Sequence, residues 1–234
     1  MILSINQPAY LPWIGYFERI AMSDLHVVLD HVQFEKNSMV NRNRLRTAED
    51  WCWVTAPVKT KGRFGNLPIY DVELANPRIC QKHIKSIQTY YGRANHFGAK
   101  SVALFEILQY SWDRLGDLIT NVNSLLVKEL AIETELVQSS DYSWETAKGD
   151  LVLEICRHFG ATEYISGPFG RDYLDIRAFA RNGIKVRFHD FQVKEYSQCF
   201  KEFEPYMSVI DLILNCGGAS RDYIGRSCSG LPEE

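Results

Sequence analysis

The sequence predicts an α/β fold built on a mostly parallel sheet with flanking helices. Three observations predict it: a strand, loop, helix, strand opening, a return of strand and helix alternation in the second half, and a globular composition. The 234 residues are 46% hydrophobic and 24% charged, outside the low-hydrophobicity, high-charge regime of disordered chains. A single domain over residues 1–226 is expected, with a helical insertion at about 77–130 and a polar tail at 227–234.

In chain order, residues 2–5 are a short apolar run, 15–22 are amphipathic, and 25–29 are apolar again, which makes a βαβ unit. Parallel strands joined by a helix align their carboxyl ends along one sheet edge, where open α/β folds bind ligands. Residues 41–57 read as a hairpin around a polar Ala48-Glu49-Asp50 turn, an insertion placed to act as a flap. Residues 67–74 read as another strand, and Pro77 opens the helical stretch, since its fixed φ suits a first turn. Helical patterns cover 79–91, 97–110 and 115–130. Alternation then resumes with strands at 135–137, 163–165 and 185–188 and helices at 145–159 and 172–181. Ser208 and Gly217 cap and stop a final helix.

A formal net charge of −3 offers no global attraction to nucleic acid or anionic lipid. No run of about 18 apolar residues occurs, and the first apolar residues meet Asn6-Gln7-Pro8 at once, so neither a membrane span nor a signal peptide is expected. The expectation is a cytoplasmic protein with a small-molecule partner, no nucleic acid and no membrane insertion. Cys52, Cys80, Cys156, Cys199, Cys216 and Cys228 are scattered without a Cys-x-x-Cys pair, so they read as reduced, Cys156 in the core, and no metal site is assigned.

The turn Asn6-Gln7-Pro8-Ala9-Tyr10-Leu11-Pro12-Trp13 follows a strand directly. Its prolines fix the backbone, while amides and rings can hydrogen-bond and stack on a base or sugar; the competing reading is a rigid turn with Trp13 in the core. The next strand ends in Asp30-His31, where a histidine beside a carboxylate suits proton transfer, although neighbouring strand residues point to opposite faces. Lys36, Asn41, Arg42 and Arg44 lie in the densest basic region, able to hold phosphate or simply to guard a solvated edge strand. His83 shares a helix face with Ser86, a stripe that suits either a site or plain surface. Ser166-Gly167-Pro168-Phe169-Gly170-Arg171 joins a strand to a helix; exposed amides with Arg171 suit an anion, yet the spacing is neither a Walker loop nor a dinucleotide fingerprint.

Taken together, Gln7-Pro8-Ala9-Tyr10-Leu11-Pro12-Trp13-Ile14-Gly15-Tyr16-Phe17, the block at 30–44, Tyr164-Ile165-Ser166-Gly167 and Ser208-Val209-Ile210-Asp211-Leu212 resemble the WbqC-like family over nearly the whole chain. A fainter similarity is to the pantothenate-synthetase type of nucleotidyl-transferring fold, but its histidine signature is missing here, with Gln7, Tyr10 and Trp13 in that turn. The first resemblance implies a role in bacterial surface-polysaccharide (O-antigen) biosynthesis, on sugars or sugar nucleotides. The expected activity is acyl or aminoacyl transfer, or ligation, to the amine of a nucleotide-linked amino sugar, with ATP as candidate cofactor; a non-catalytic sugar-nucleotide or glycan-binding protein is the alternative. In that scheme His31, Gln7 and Asp30 are catalytic. Asn6, Tyr10, Trp13, Lys36, Asn41, Arg42, Arg44, His83, Ser166, Gly167 and Arg171 bind substrate.

Overall fold

The computed structural model describes residues 1–63 and 65–225; Cys228 and the tail expected at 227–234 lie outside them. Strand β1 (Ile2–Asn6), helix α1 (Ile14–Ala21) and strand β2 (Leu25–Val28) form the βαβ opening. Strands β3 (Arg42–Arg46) and β4 (Trp51–Thr55) make the antiparallel hairpin, and helices α2 (Cys80–Tyr91), α3 (Phe97–Leu108) and α4 (Leu115–Glu129) follow. Then come β5 (Glu135–Gln138), α5 (Lys148–His158), β6 (Glu163–Ser166), α6 (Ile176–Arg181), β7 (Lys185–Phe188) and finally α7 (Val209–Cys216).

The main sheet has five parallel strands in the order β5-β2-β1-β6-β7. The chain starts in the middle, builds outward to β5, and returns to lay β6 and β7 on the other side of β1. Strand order therefore reverses between β1 and β6, the point where open α/β sheets part to admit a ligand.

Alternation along the strands separates two layers. Leu3, Ile5, Leu25 and Val27 pack with Leu151, Ile155 and Phe179 of α5 and α6. The larger cluster, on the other side, joins α1, the hairpin, α2 to α4 and α7 through residues such as Phe17, Leu45, Tyr91, Leu118 and Ile213. Helix α1 is buried almost all round: Ile14, Tyr16, Phe17, Ile20 and Ala21 are covered, and full burial of a side chain such as Phe17 is worth about 1.5–3 kcal/mol. Ser4 and His26 face this second layer, joined by a 2.7 Å bond from Ser4 Oγ to His26 Nδ1. Burial pushes His26 down to about pKa 3, so it stays neutral.

Residues 67–74 depart from the strand expected there. They form a short 3₁₀ turn at Ile69–Asp71, tied by single bridges from Gln33 to Pro68 and from Val58 to Leu74. Pro68 has no N–H to extend a ladder, and Ile69 and Val72, both buried, recur at three-residue spacing rather than two. Helix starts also shift: Pro77 precedes the first regular turn of α2, and α6 begins only after Asp175, whose carboxylate accepts from Ala178 N. Ser208 caps α7 through Ile210 N, and Gly217 ends it at φ 55. Among the described residues no helix is long and apolar enough to cross a membrane.

Candidate functional site

A cavity of about 480 Å³ opens at the strand-order reversal. Its floor is the carboxyl end of β1 with Asn6, Gln7, Pro8 and Ala9, and its far side is the β6 loop from Gly167 to Gly170. No hydrogen bond ties the Asn6 or Gln7 side chain to another described residue, so both amides remain available to a ligand. Trp13, Phe191 and Tyr206 form an aromatic wall, with Trp13 edge-on to Phe191 at 4.9 Å and 5.7 Å from Tyr206. The Trp13 ring lies directly on the first turn of α1, where a Cβ on Gly15 would sit 2.2 Å from it. Leu11 (φ 47) and Tyr206 (φ 61) hold left-handed backbone at this site, at roughly 1–2 kcal/mol each for a residue with a side chain.

With Glu18 standing behind the histidine, two polar side chains from elements far apart in sequence, His189 and Arg19, line the cavity. His189, the residue after β7, lines it, and its Nε2 is 2.9 Å from Glu18 Oε2 on α1. Both partners are buried, at 8% and 3% exposure, so the carboxylate fixes the ring in place. With Nε2–H donating to Glu18, Nδ1 is the basic nitrogen, and it has no hydrogen-bond partner among the described residues. Arg19, next on the helix, also lines the cavity, with no carboxylate in ion-pair distance among the described residues. Burial pushes its guanidinium below the ordinary arginine range, partly offset by the phenols of Tyr164, Tyr16 and Tyr173. Its Nη1 presses against Gly167, where a Cβ would lie 2.3 Å away.

Of the residues expected from sequence, the structure gathers Asn6, Gln7, Trp13 and Gly167 here. Tyr10 is instead fully buried, its OH 2.8 Å from His83 Nδ1 while His83 Nε2 is 3.1 Å from Thr55 O. That bond chain supports the turn from behind, so neither Tyr10 nor the buried His83 can stack on or touch a ligand in the cavity. Ser166 is buried with its Oγ donating to Gly167 O, and Arg171 leans over Phe188 at 4.2 Å. Asn41 is buried with Nδ2 on Ala56 O, and Lys36 is exposed away from the cavity. Arg42 and Arg44 do share a hairpin face, but their guanidinium groups lie over Trp53 and Trp51 at 4.3 and 4.4 Å.

His31 and Asp30 are set apart from the cavity. His31 lies in a second, more open recess with Tyr70, Ser140, Tyr142, Trp144 and Thr146, past the ends of β2 and β5. Its Nδ1 is 2.6 Å from Ser139 Oγ, which in turn donates to Asp30 Oδ1. Asp30 is further satisfied by Ser140 N and Ser140 Oγ. The adjacent pair thus does not act as one unit: the carboxylate is spent on two serines, and the imidazole contacts it only through Ser139.

Sequence reading missed Glu18, Arg19 and His189. Their signals were present: a charged pair inside a short helix otherwise apolar on every face, and a histidine directly after a parallel strand. Among the described residues no group of three His, Cys, Asp or Glu side chains could hold a metal ion. The free cysteines Cys52, Cys80, Cys156, Cys199 and Cys216 do not line the cavity, and burial raises the Cys156 thiol to about 12.

No solved structure matches the chain. The uncharacterized protein Rv1507c of Mycobacterium tuberculosis is 33% identical over 224 residues, covering 95% of this chain and 96% of that protein. The model of the WbqC-like protein family matches residues 7–223, from Gln7 at the cavity floor to the end of the described core. The chain belongs to the WbqC-like protein family.

Proposed function

We propose that the chain is an enzyme of bacterial surface-polysaccharide synthesis that transfers or ligates an acyl or aminoacyl group to the amine of a nucleotide-linked amino sugar. The observation that carries this reading is His189, held by Glu18, lining a cavity walled by rings and unpaired amides. An amine that attacks an acyl carbon must lose a proton as the amide forms. His189 Nδ1 takes that proton, and buried Glu18 holds the ring in the tautomer that leaves this nitrogen free. Trp13 and Tyr206 stack on the base or sugar, and the Asn6 and Gln7 amides orient its polar groups. ATP, the candidate activator, converts the donor acid to an acyl phosphate or acyl adenylate, and phosphate or AMP leaves the acyl carbon as the C–N bond forms.

Incubation of the protein with ATP, single amino acids and amino-sugar nucleotides, followed by mass spectrometry, tests the proposal. The expected result is a sugar nucleotide heavier by one acyl or aminoacyl residue, and its loss in His189→Ala. Binding of the nucleotide sugar without any mass gain across the set overturns catalysis and leaves a sugar-nucleotide-binding protein.

A further inference from the structure

Two arginines in this molecule, buried Arg46 and half-buried Arg19, are treated differently. Arg46 is spent on the fold: Nη1 donates to Thr47 O at 2.7 Å and Asp50 O at 2.6 Å, and Nη2 to Glu202 O at 3.0 Å. Arg19 makes no such bond to a described residue; its Nε, like that of Arg46, is buried without a partner among the described residues, so the contrast lies in the terminal nitrogens. The half-buried guanidinium lines the cavity together with Tyr16, Tyr164 and Tyr173, and its Nη1 lies against Gly167. A cation drawn partly out of water without a counter-charge in ion-pair distance is costly unless something else completes it.

We infer that Arg19 is the anion-holding residue of the cavity and takes phosphate oxygens of a nucleoside-diphosphate group. The inference rests on the cavity being the substrate site, and it moves phosphate recognition from Arg42 and Arg44 to Arg19. The planar guanidinium fork matches two phosphate oxygens, whereas Arg42 and Arg44 already lie on tryptophan faces and Arg42 also donates to Asn37 O. A volume of about 480 Å³ is in the range of small-molecule and cofactor sites, and the rings of Trp13, Tyr206 and exposed Phe169 offer a base somewhere to stack. Gly167 has an ordinary extended conformation, φ −68 and ψ 166, so its missing side chain serves space rather than backbone freedom. The space it leaves is the one Arg19 Nη1 occupies.

Inorganic pyrophosphate and malonate, titrated separately into the full chain by calorimetry, distinguish a phosphate subsite from a general anion or carboxylate site. Wild type is expected to bind pyrophosphate and to prefer it to malonate. Arg19→Gln should weaken pyrophosphate about tenfold to a hundredfold, the size of a lost charge-assisted contact. The melting temperature of ligand-free Arg19→Gln should be unchanged or higher, which a structural arginine would not show. Arg19→Lys should recover part of the binding. Gly167→Ala, which crowds Nη1 without removing charge, should weaken it and decides the matter if Arg19→Gln does not fold. Four results overturn the inference: no pyrophosphate binding by wild type, malonate bound as tightly, binding indifferent to both Arg19→Gln and Gly167→Ala, or a larger loss in Arg42→Gln than in Arg19→Gln. Because the readout is pyrophosphate rather than turnover, an absent amide product leaves this subsite standing, and an absent subsite leaves the amide assay to decide the reaction.

Discussion

Two recesses lie along the carboxyl edge of the same sheet, each with one histidine, and they differ in what surrounds it. At β2 and β5, neighbouring strands connect on the same side of β1 in the sheet order, and the recess beyond them is open. There His31 is bound by a serine, whose own proton goes to Asp30. At β1 and β6 the strand order reverses, the loops diverge, and His189 meets a buried carboxylate beside a cation with no described partner. The difference teaches that position in the strand order, more than a suggestive dipeptide such as Asp30-His31, decides which histidine has a chamber to work in.

The largest expected effect sets the two histidines against each other. With the amide-forming reaction as readout, His189→Ala should lower turnover by about a hundredfold or more, and His31→Ala should leave it within assay scatter. Equal losses would dissolve the distinction between the recesses. A stability effect comes next. Gly15→Ala places a methyl 2.2 Å from the Trp13 ring and should cost about 1–3 kcal/mol in urea unfolding while loosening the aromatic wall. An unchanged midpoint would mean that the wall is not held as tightly as its packing indicates.

Acid should then act on the fold before it reports on either recess. His26 and His83 are buried neutral, with pKa values pushed by burial from 6.5 to about 3 and about 4. Since the folded values lie below the unfolded one, the unfolded chain takes up protons first as pH drops. Stability is therefore full above pH 6.5 and declines as pH falls from there toward the folded values. Melting curves from pH 7 to pH 4 should show this decline, and His83→Gln should flatten it; a curve of the same slope would assign acid sensitivity elsewhere. The smallest signal is local. Burial also lowers His31, against the opposing pull of Asp30 and Glu154, so its ring protons should titrate by NMR with a midpoint below 6.5. A midpoint above 6.5 would mean that the pull of Asp30 and Glu154 outweighs burial at His31.

The sheet was legible because its strands are short apolar runs spaced by helix-length patterns, and Ile2–Asn6 to Leu25–Val28 could be read directly as βαβ. Part of the cavity was legible for the same reason: Asn6, Gln7, Trp13 and Gly167 follow strands or sit in turns that strand-by-strand reading places at one edge. What was hidden depends on burial in three dimensions. Tyr10 and His83 looked like site residues because both are polar aromatics, yet their bond to each other consumes them inside the core. Arg42 and Arg44 looked like phosphate ligands because charge was visible and the tryptophans that would stack on them, Trp51 and Trp53, belonged to the facing strand. Arg19 looked like an ordinary helix residue, since nothing in its own segment tells that no counter-charge will be brought to it from elsewhere.

The way the aromatic wall is tied together also sets when it can exist. Trp13 bridges Ser208, Val209 N donates to Pro12 O at 2.7 Å, and Ser208 N donates to Arg44 O at 2.9 Å. Three segments far apart in the sequence meet in that knot, so during synthesis on the ribosome the opening turn must wait, with its ring unsupported, until α7 has emerged. A nascent chain halted anywhere before Ser208 would carry the floor of the cavity but not a supported wall, which confines the complete cavity to chains whose synthesis has passed that residue.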